Sequence, residues 1–266
     1  MTTRHSAPGV PDPWQALRQH TPARIALGRS GDSLPTSALL EFGLAHALAR
    51  DAVHLPLDGA ALGAALDAAG LPHRAVHSQA ADRSTYLRRP DLGRQLTADS
   101  RVALEKAAQS ATAPDLAFVI ADGLSSLAVS RHALPLLHAS LELLPGWSMA
   151  PVVIAEQARV ALGDAIGEAL GAGTVVVLIG ERPGLSSPDS LGIYLTHRPR
   201  PGLTDADRNC ISNVRPEGLP YAVAARKLAY LLDGARRLGR SGLALKDDSG
   251  LEALPGAAPL APPGQA

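Results

Sequence analysis

The residues best placed to do chemistry sit in three short stretches. In "TVVVLIGERPGLSSPDSLG" (residues 174–192) a β-branched apolar run enters a loop with two glycines, two prolines, three serines and the charged pair Glu181 and Arg182. Such a loop is too elaborate for a simple turn and reads as one wall of a binding crevice. "ADGLSS" (residues 121–126) follows another apolar run. Backbone amides at a helix start attract anions, so this turn could cradle a phosphate; the other reading is that Asp122 and Ser125 cap a helix. Neither G-x-G-x-x-G nor G-x-x-x-x-G-K-[ST] is present. The third stretch, "DADRNCISNVRPEG", holds Cys210 in what reads as an irregular polar segment. A catalytic thiol needs an activating base, and the sequence identifies none.

"GDSL" at residues 31–34 is the tetrapeptide of a class of serine esterases. In that class a D-x-x-H pair near the C-terminus supplies acid and base. Here the comparable spacing, Asp51 and His54, lies just behind Ser33, and His197 follows Tyr194 at the position where an aspartate belongs. The other reading is a turn whose Ser, Pro and Thr lead into a helix. Zinc is poorly supported by nine scattered histidines and one cysteine without H-E-x-x-H. His46, His54, His132 and His138 therefore read as core or surface residues.

These residues need elements to position them. "DLAFVIADG", "MAPVVIAEQ", "TVVVLIGE" and "GIYLTHRP" read as strands, alternating with helices at "LSSLAVSRHALPLLHASLELL" (kinked or broken at Pro135), "RVALGDAIGEALGAG" and "PYAVAARKLAYLLDGARRLG". In the last of these Pro220 suits the first turn and Gly239 the stop. Upstream, residues 35–54, with Thr36 or Ser37 as cap, and residues 58–70 have helical spacing. A short helix is predicted around Trp14, and "RSTYLRRPDLGRQL" reads as a polar, basic surface or interface segment. The fold class is α/β: a Rossmann-like, mostly parallel sheet flanked by helices, with a mainly helical N-terminal portion. The division is an N-terminal arm and short helix (1–20), a helical portion (21–110), a Rossmann-like domain (111–251) and a Pro/Ala-rich disordered tail (252–266). Ligands in open α/β sheets sit beyond the carboxyl ends of the strands. That rule brings together loops 122–126, 155–160 and 181–190.

Composition narrows the class. With 46% hydrophobic residues but 3% aromatic, the core must be mostly Ala, Leu and Val. Basic and acidic residues balance at 25 each, without a long basic block, which argues against nucleic acid or an anionic membrane as partner. No apolar run approaches the ~20 residues that span a bilayer. A single cysteine forms no internal disulfide, and the N-terminus has no apolar secretory segment. The expectation is a cytoplasmic protein.

Several long motifs in order, "TPARIALGRSG", "AHALARDAVH", "DLAFVIADGLSSLAVSRHALPLL", "LGDAIGEALGA", "VVVLIGERPGLSSPDSLGIYLT", "DADRNCISNVRPEGLPY" and "SGLALKD", resemble the small (light) subunit of ethanolamine ammonia-lyase. The resemblance runs from about Thr21 to Asp247 and makes the "GDSL" match accidental. It implies an adenosylcobalamin-dependent lyase converting ethanolamine to acetaldehyde and ammonia. A large TIM-barrel subunit would carry the radical chemistry, in a large hetero-oligomer with this chain. The small subunit would help enclose cobalamin through Val160, Glu181 and Cys210, with no catalytic or metal-ligating residue of its own. The chain lacks D-x-H-x-x-G, because Asp51 and His54 have the wrong spacing, so the cofactor's own base is expected to stay on cobalt. In hosts that form a bacterial microcompartment, the N-terminal arm could direct encapsulation. A stand-alone nucleotide- or corrinoid-binding module is the competing reading. Glu181 would accept from a corrin amide or a ribose hydroxyl, or else pair with Arg182 or another cation.

Overall fold

The computed structural model describes residues 12–109 and 112–250. The N-terminal arm up to residue 11 and the tail from residue 251 lie outside them. A 3-10 turn, Pro13–Gln19, contains Trp14. Helices α1 (Thr36–His54) and α2 (Gly59–Ala68), strand β1 (His73–His77), and helices α3 (Arg83–Arg88) and α4 (Ala98–Gln109) follow. Then come β2 (Leu116–Ala121), α5 (Ser126–Leu141), β3 (Val152–Glu156), α6 (Leu162–Leu170), β4 (Thr174–Gly180), β5 (Leu191–His197), β6 (Asn209–Val214) and α7 (Tyr221–Leu238).

One six-stranded sheet, ordered β1-β3-β2-β4-β5-β6, organises the molecule. The β1–β3, β3–β2 and β2–β4 pairings are parallel, and β5 pairs antiparallel with both β4 and β6, so β5 alone runs against the other five strands. The mixed α/β, mostly parallel architecture read from the sequence is therefore present. Period-2 alternation sorts the strand side chains to two faces. Leu116, Phe118, Ile120, Ile154, Val176 and Leu178 pack with α2, α5 and α7. Ala117, Val119, Val153, Ala155, Val175 and Val177 pack with α4 and α6. Helices on both faces explain why β2 and β4 are apolar without a break.

Two strands lie where the pattern predicts none. β1 and β6 form the edges of the sheet, where polar side chains are tolerated and guard against unwanted pairing. "HRAVH" buries only Val76, and "NCISNV" buries only Ile211 and Val214. Cys210 thus stands on a strand, not in an irregular segment.

Helix α5 runs through Pro135 unbroken. Pro135 is on the exposed side, where water can satisfy the carbonyl that the proline leaves unpaired. Helix α1 begins after Pro35 with no side-chain cap, so neither Thr36 nor Ser37 plays that part. Gly239 ends α7 at φ 69°, as the spacing predicts, while Pro220 stands at the N-cap, one position before the first turn. No described helix is long and apolar enough to cross a membrane.

Candidate functional site

The carboxyl ends of β2, β3 and β4 meet at one crevice. Gly123 and Leu124 after β2, Arg159 and Val160 after β3, and Gly180, Glu181 and Arg182 at the end of β4 line a cavity of about 400 Å³, together with Tyr86 and Tyr194. All three loops singled out by the strand-end rule contribute.

Asp122 does not line the cavity but ties together the loops that do. It has no solvent exposure. One carboxylate oxygen accepts the N–H groups of Gly123 (2.9 Å) and Ala158 (2.8 Å). The other accepts the Gln157 N–H at 2.8 Å and faces the Arg83 guanidinium at 3.3 Å. Asp122 thus stitches the end of β2 to the loop after β3 and does not cap α5. Burial raises its carboxyl pKa, opposed by the Ala158, Gln157 and Gly123 N–H groups and by Arg83. Burial lowers that of Arg83 in turn. Ser125 alone caps α5, accepting from the Ala128 N–H at 3.2 Å, and donates to the Pro188 carbonyl at 2.8 Å. That second bond ties the β2 loop to the Glu181 loop.

The Glu181 loop is held at both ends. The Glu181 N–H donates to the Ser190 carbonyl at 2.9 Å. Its carboxylate accepts from the Ser190 hydroxyl and from the Asn213 N–H, at 3.2 Å to one oxygen and 3.4 Å to the other. Among the described residues its partners are a hydroxyl and a backbone amide, not Arg182 or another cation. Asp189, at the loop's far end, pairs with Arg131 at 2.8 Å; burial pushes its carboxyl up, but Arg131 and the neighbouring His132 outweigh that and hold it below the usual range.

Of the three residues implied by the resemblance, Val160 and Glu181 line this cavity. Cys210 is reached indirectly: it is exposed and lies opposite Tyr194 in the β5–β6 register. The helices that pack on β5 and β6 are α5 and α7, on the Ile193 and Leu195 side. Tyr194 and Cys210 therefore share the opposite face, beside the crevice. Burial raises the Tyr194 phenol pKa, and the neighbouring Cys210 thiol adds to the shift.

Sequence reasoning passed over Tyr86, Arg159 and Tyr194. The "RSTYLRRPDLGRQL" stretch is not simply surface, because Tyr86 is fully buried and donates to the Ala158 carbonyl at 3.0 Å. The available signal was a lone aromatic, in a chain with four tyrosines, inside an otherwise charged segment. Ser33 is exposed in a turn closed by backbone bonds to Ser30. His46, His54 and His138 are exposed, and buried His132 meets the Tyr221 hydroxyl at 2.7 Å. No group of three or more His, Cys, Asp or Glu able to hold a metal ion occurs among the described residues.

A family model described as ethanolamine ammonia-lyase light chain (EutC) matches residues 11–246. The chain is 59% identical over 254 residues to the ethanolamine ammonia-lyase small subunit of Azotobacter vinelandii, covering 94% of each protein. It is 62% identical over 239 residues to the protein of the same name from Ralstonia nicotianae, covering 89% of this chain and 88% of the other. Identity to the small subunit of Pseudomonas fluorescens strain SBW25 is 56% over 249 residues, covering 92% and 90%.

Proposed function

The chain belongs to the ethanolamine ammonia-lyase light-chain family, and from that premise we propose how its crevice is used. It is the small subunit of a lyase that converts ethanolamine to acetaldehyde and ammonia, and it works with a large subunit. We infer that residues 111–251 act as a Rossmann-like domain whose crevice, through Val160, Glu181 and Cys210, holds one side of adenosylcobalamin against a TIM-barrel large subunit. The single observation that carries this is the convergence of Val160 and Glu181 on one cavity at the strand ends, with Cys210 on the adjoining open face.

The residues present fit such a group. A corrin rim presents amide side chains, which need both acceptors and donors. The Glu181 carboxylate is oriented by Ser190 and Asn213 and supplies the acceptor. The phenol of Tyr194 can donate or accept. A cavity of about 400 Å³ is small beside a corrinoid, consistent with a partner subunit completing the enclosure. Helix α1 supports the need for a partner: Leu40, Leu44 and Leu48 are 68%, 63% and 50% exposed along one stripe, with Leu39 and Phe42 also exposed. An isolated apolar helix of this kind gains most of its stability from packing.

When bound, adenosylcobalamin supplies the radical chemistry. This chain's residues orient it and exclude water, and none is assigned a catalytic step. The working location is the cytoplasm, or the lumen of a microcompartment in hosts that build one.

Ammonia release from ethanolamine, with the cognate large subunit and adenosylcobalamin, is expected to require this chain. Full activity of the large subunit alone, or an inert pair, would overturn the assignment. Within the complex, Glu181→Gln is expected to weaken cobalamin binding on the order of tenfold, since a charged acceptor is lost. Unchanged affinity in an equilibrium titration would mean that the carboxylate serves only to hold Asn213.

A further inference from the structure

A second hollow of about 400 Å³ adjoins the Glu181 cavity and shares Arg159, Val160 and Tyr194 with it. Its character differs. Arg94, Arg159 and Arg208 all line it, with Asp205 the only carboxylate in the wall. Arg208 uses the nearby acids: it pairs with Asp205 at 3.1 Å and with buried Asp164. Among the described residues Arg94 and Arg159 have no carboxylate partner. Three guanidinium groups against the Asp164 and Asp205 carboxylates leave one net positive charge.

Arg159 is also built into place. Its guanidinium lies 4.4 Å over the ring of buried Tyr86, a cation–π contact that fixes its orientation. Its N–H donates to the Gly93 carbonyl at 2.8 Å. A Cβ at Gly93 would come within 2.9 Å of the Tyr86 ring and 3.1 Å of the Arg159 side chain, so the 3-10 turn Leu92–Arg94 closes on this stack only because that residue is glycine. The Arg159 Nε is buried without a hydrogen-bond partner, as is the Nε of Arg208, a residue only 7% exposed. Ala161, which precedes α6, lines the same wall, so the positive end of that helix faces the hollow. Arg159, held in place and without an acid partner, with Arg94 beside it near a helix start, has the chemistry of a phosphate seat.

We propose that Arg159, with Arg94 beside it, is the seat for the phosphodiester of the cobalamin nucleotide loop. This rests on the reading of the adjoining Glu181 cavity as a cobalamin site. The phosphodiester is the anionic group of that cofactor, and the two hollows meet at Arg159. The "RSTYLRRPDLGRQL" stretch gains a role here, since it delivers both Tyr86 and Arg94.

The test is a spectroscopic titration of the complex of both subunits with two probes, cyanocobalamin and dicyanocobinamide. The second probe keeps the corrin but lacks the nucleotide loop and its phosphodiester. Arg159→Ala is expected to weaken cyanocobalamin binding about 10- to 100-fold and dicyanocobinamide binding far less, since Arg159 also borders the corrin cavity. Arg159→Lys should recover part of the loss. Arg94→Ala alters an exposed side chain that the fold does not need, and should show the same selectivity to a smaller degree. Equal losses for both probes, or none, would overturn the phosphate seat and leave the cobalamin reading intact. If the unmodified complex binds neither probe, the cobalamin reading itself fails.

Discussion

Asp122→Ala is expected to remove ~3–5 kcal/mol of folding stability, the range for breaking a buried, hydrogen-bonded charge pair. The substitution orphans the N–H groups of Gly123, Gln157 and Ala158 and leaves the Arg83 guanidinium facing a void. Arg83 is itself largely buried and would keep only its bonds to the Val53 and Gly123 carbonyls, both at 2.8 Å. A whole domain is commonly stable by about 5–15 kcal/mol, so such a loss is a large share of the total. Asp122→Asn keeps the size but turns one acceptor into a donor that faces backbone N–H groups, and should fall between wild type and Ala. Denaturant melts of the three proteins would measure this. A difference below about 1 kcal/mol for the alanine variant would show that water enters and satisfies the orphaned groups.

The second large effect is Gly180→Ala. A Cβ there would overlap the Ser125 carbonyl oxygen and stand 2.6 Å from its carbon and 2.7 Å from the Asp122 carbonyl oxygen. All three are backbone atoms, so no side-chain rotation relieves the clash, and the end of β4 must move away from the start of α5. Overpacking costs typically about 1–3 kcal/mol, and this backbone contact should lie at or above the upper end. The displacement also carries Glu181, the next residue, away from its bonds to Ser190 and Asn213. Cobalamin affinity of the complex should therefore fall even below the melting temperature. Gly43→Ala, in helix α1 with open space around it, is the control. It should be neutral or slightly stabilising, because alanine favours the helix. Equal melting points for the two variants would refute the close approach of β4 to α5.

The contrast between these glycines marks what a linear reading can reach. Both occupy ordinary-looking positions in the chain, yet only Gly180 touches backbone from another element. The same division runs through the fold. "LAFVIA", "VVIAE" and "TVVVLIG" were legible as strands because central parallel strands are buried on both faces and so are apolar throughout. Helix α6 was legible from its spacing, and α7 from its spacing together with Pro220 and Gly239 at its ends. Once strands and helices alternate, ligand binding at the strand ends follows from the geometry of parallel sheets, so the crevice and Glu181's place in it could be anticipated.

Edge strands β1 and β6 were not legible, because an edge needs few apolar residues and its sequence looks like a loop. Cys210 was misread for that reason. The Tyr86–Arg159 stack, the bonds of Asp122 to Arg83, Gln157 and Ala158, and that of Glu181 to Asn213 join segments tens of residues apart in the chain. Composition and period determined the α/β class, the central strands and the general position of the crevice, since each depends on residues close in sequence. Tertiary structure alone decided which strands are neighbours, that β5 alone reverses direction, and which side chains face one another across the crevice. Those outcomes depend on long-range packing that minimises buried unpaired polar groups and voids over the whole molecule, which no short window of sequence contains.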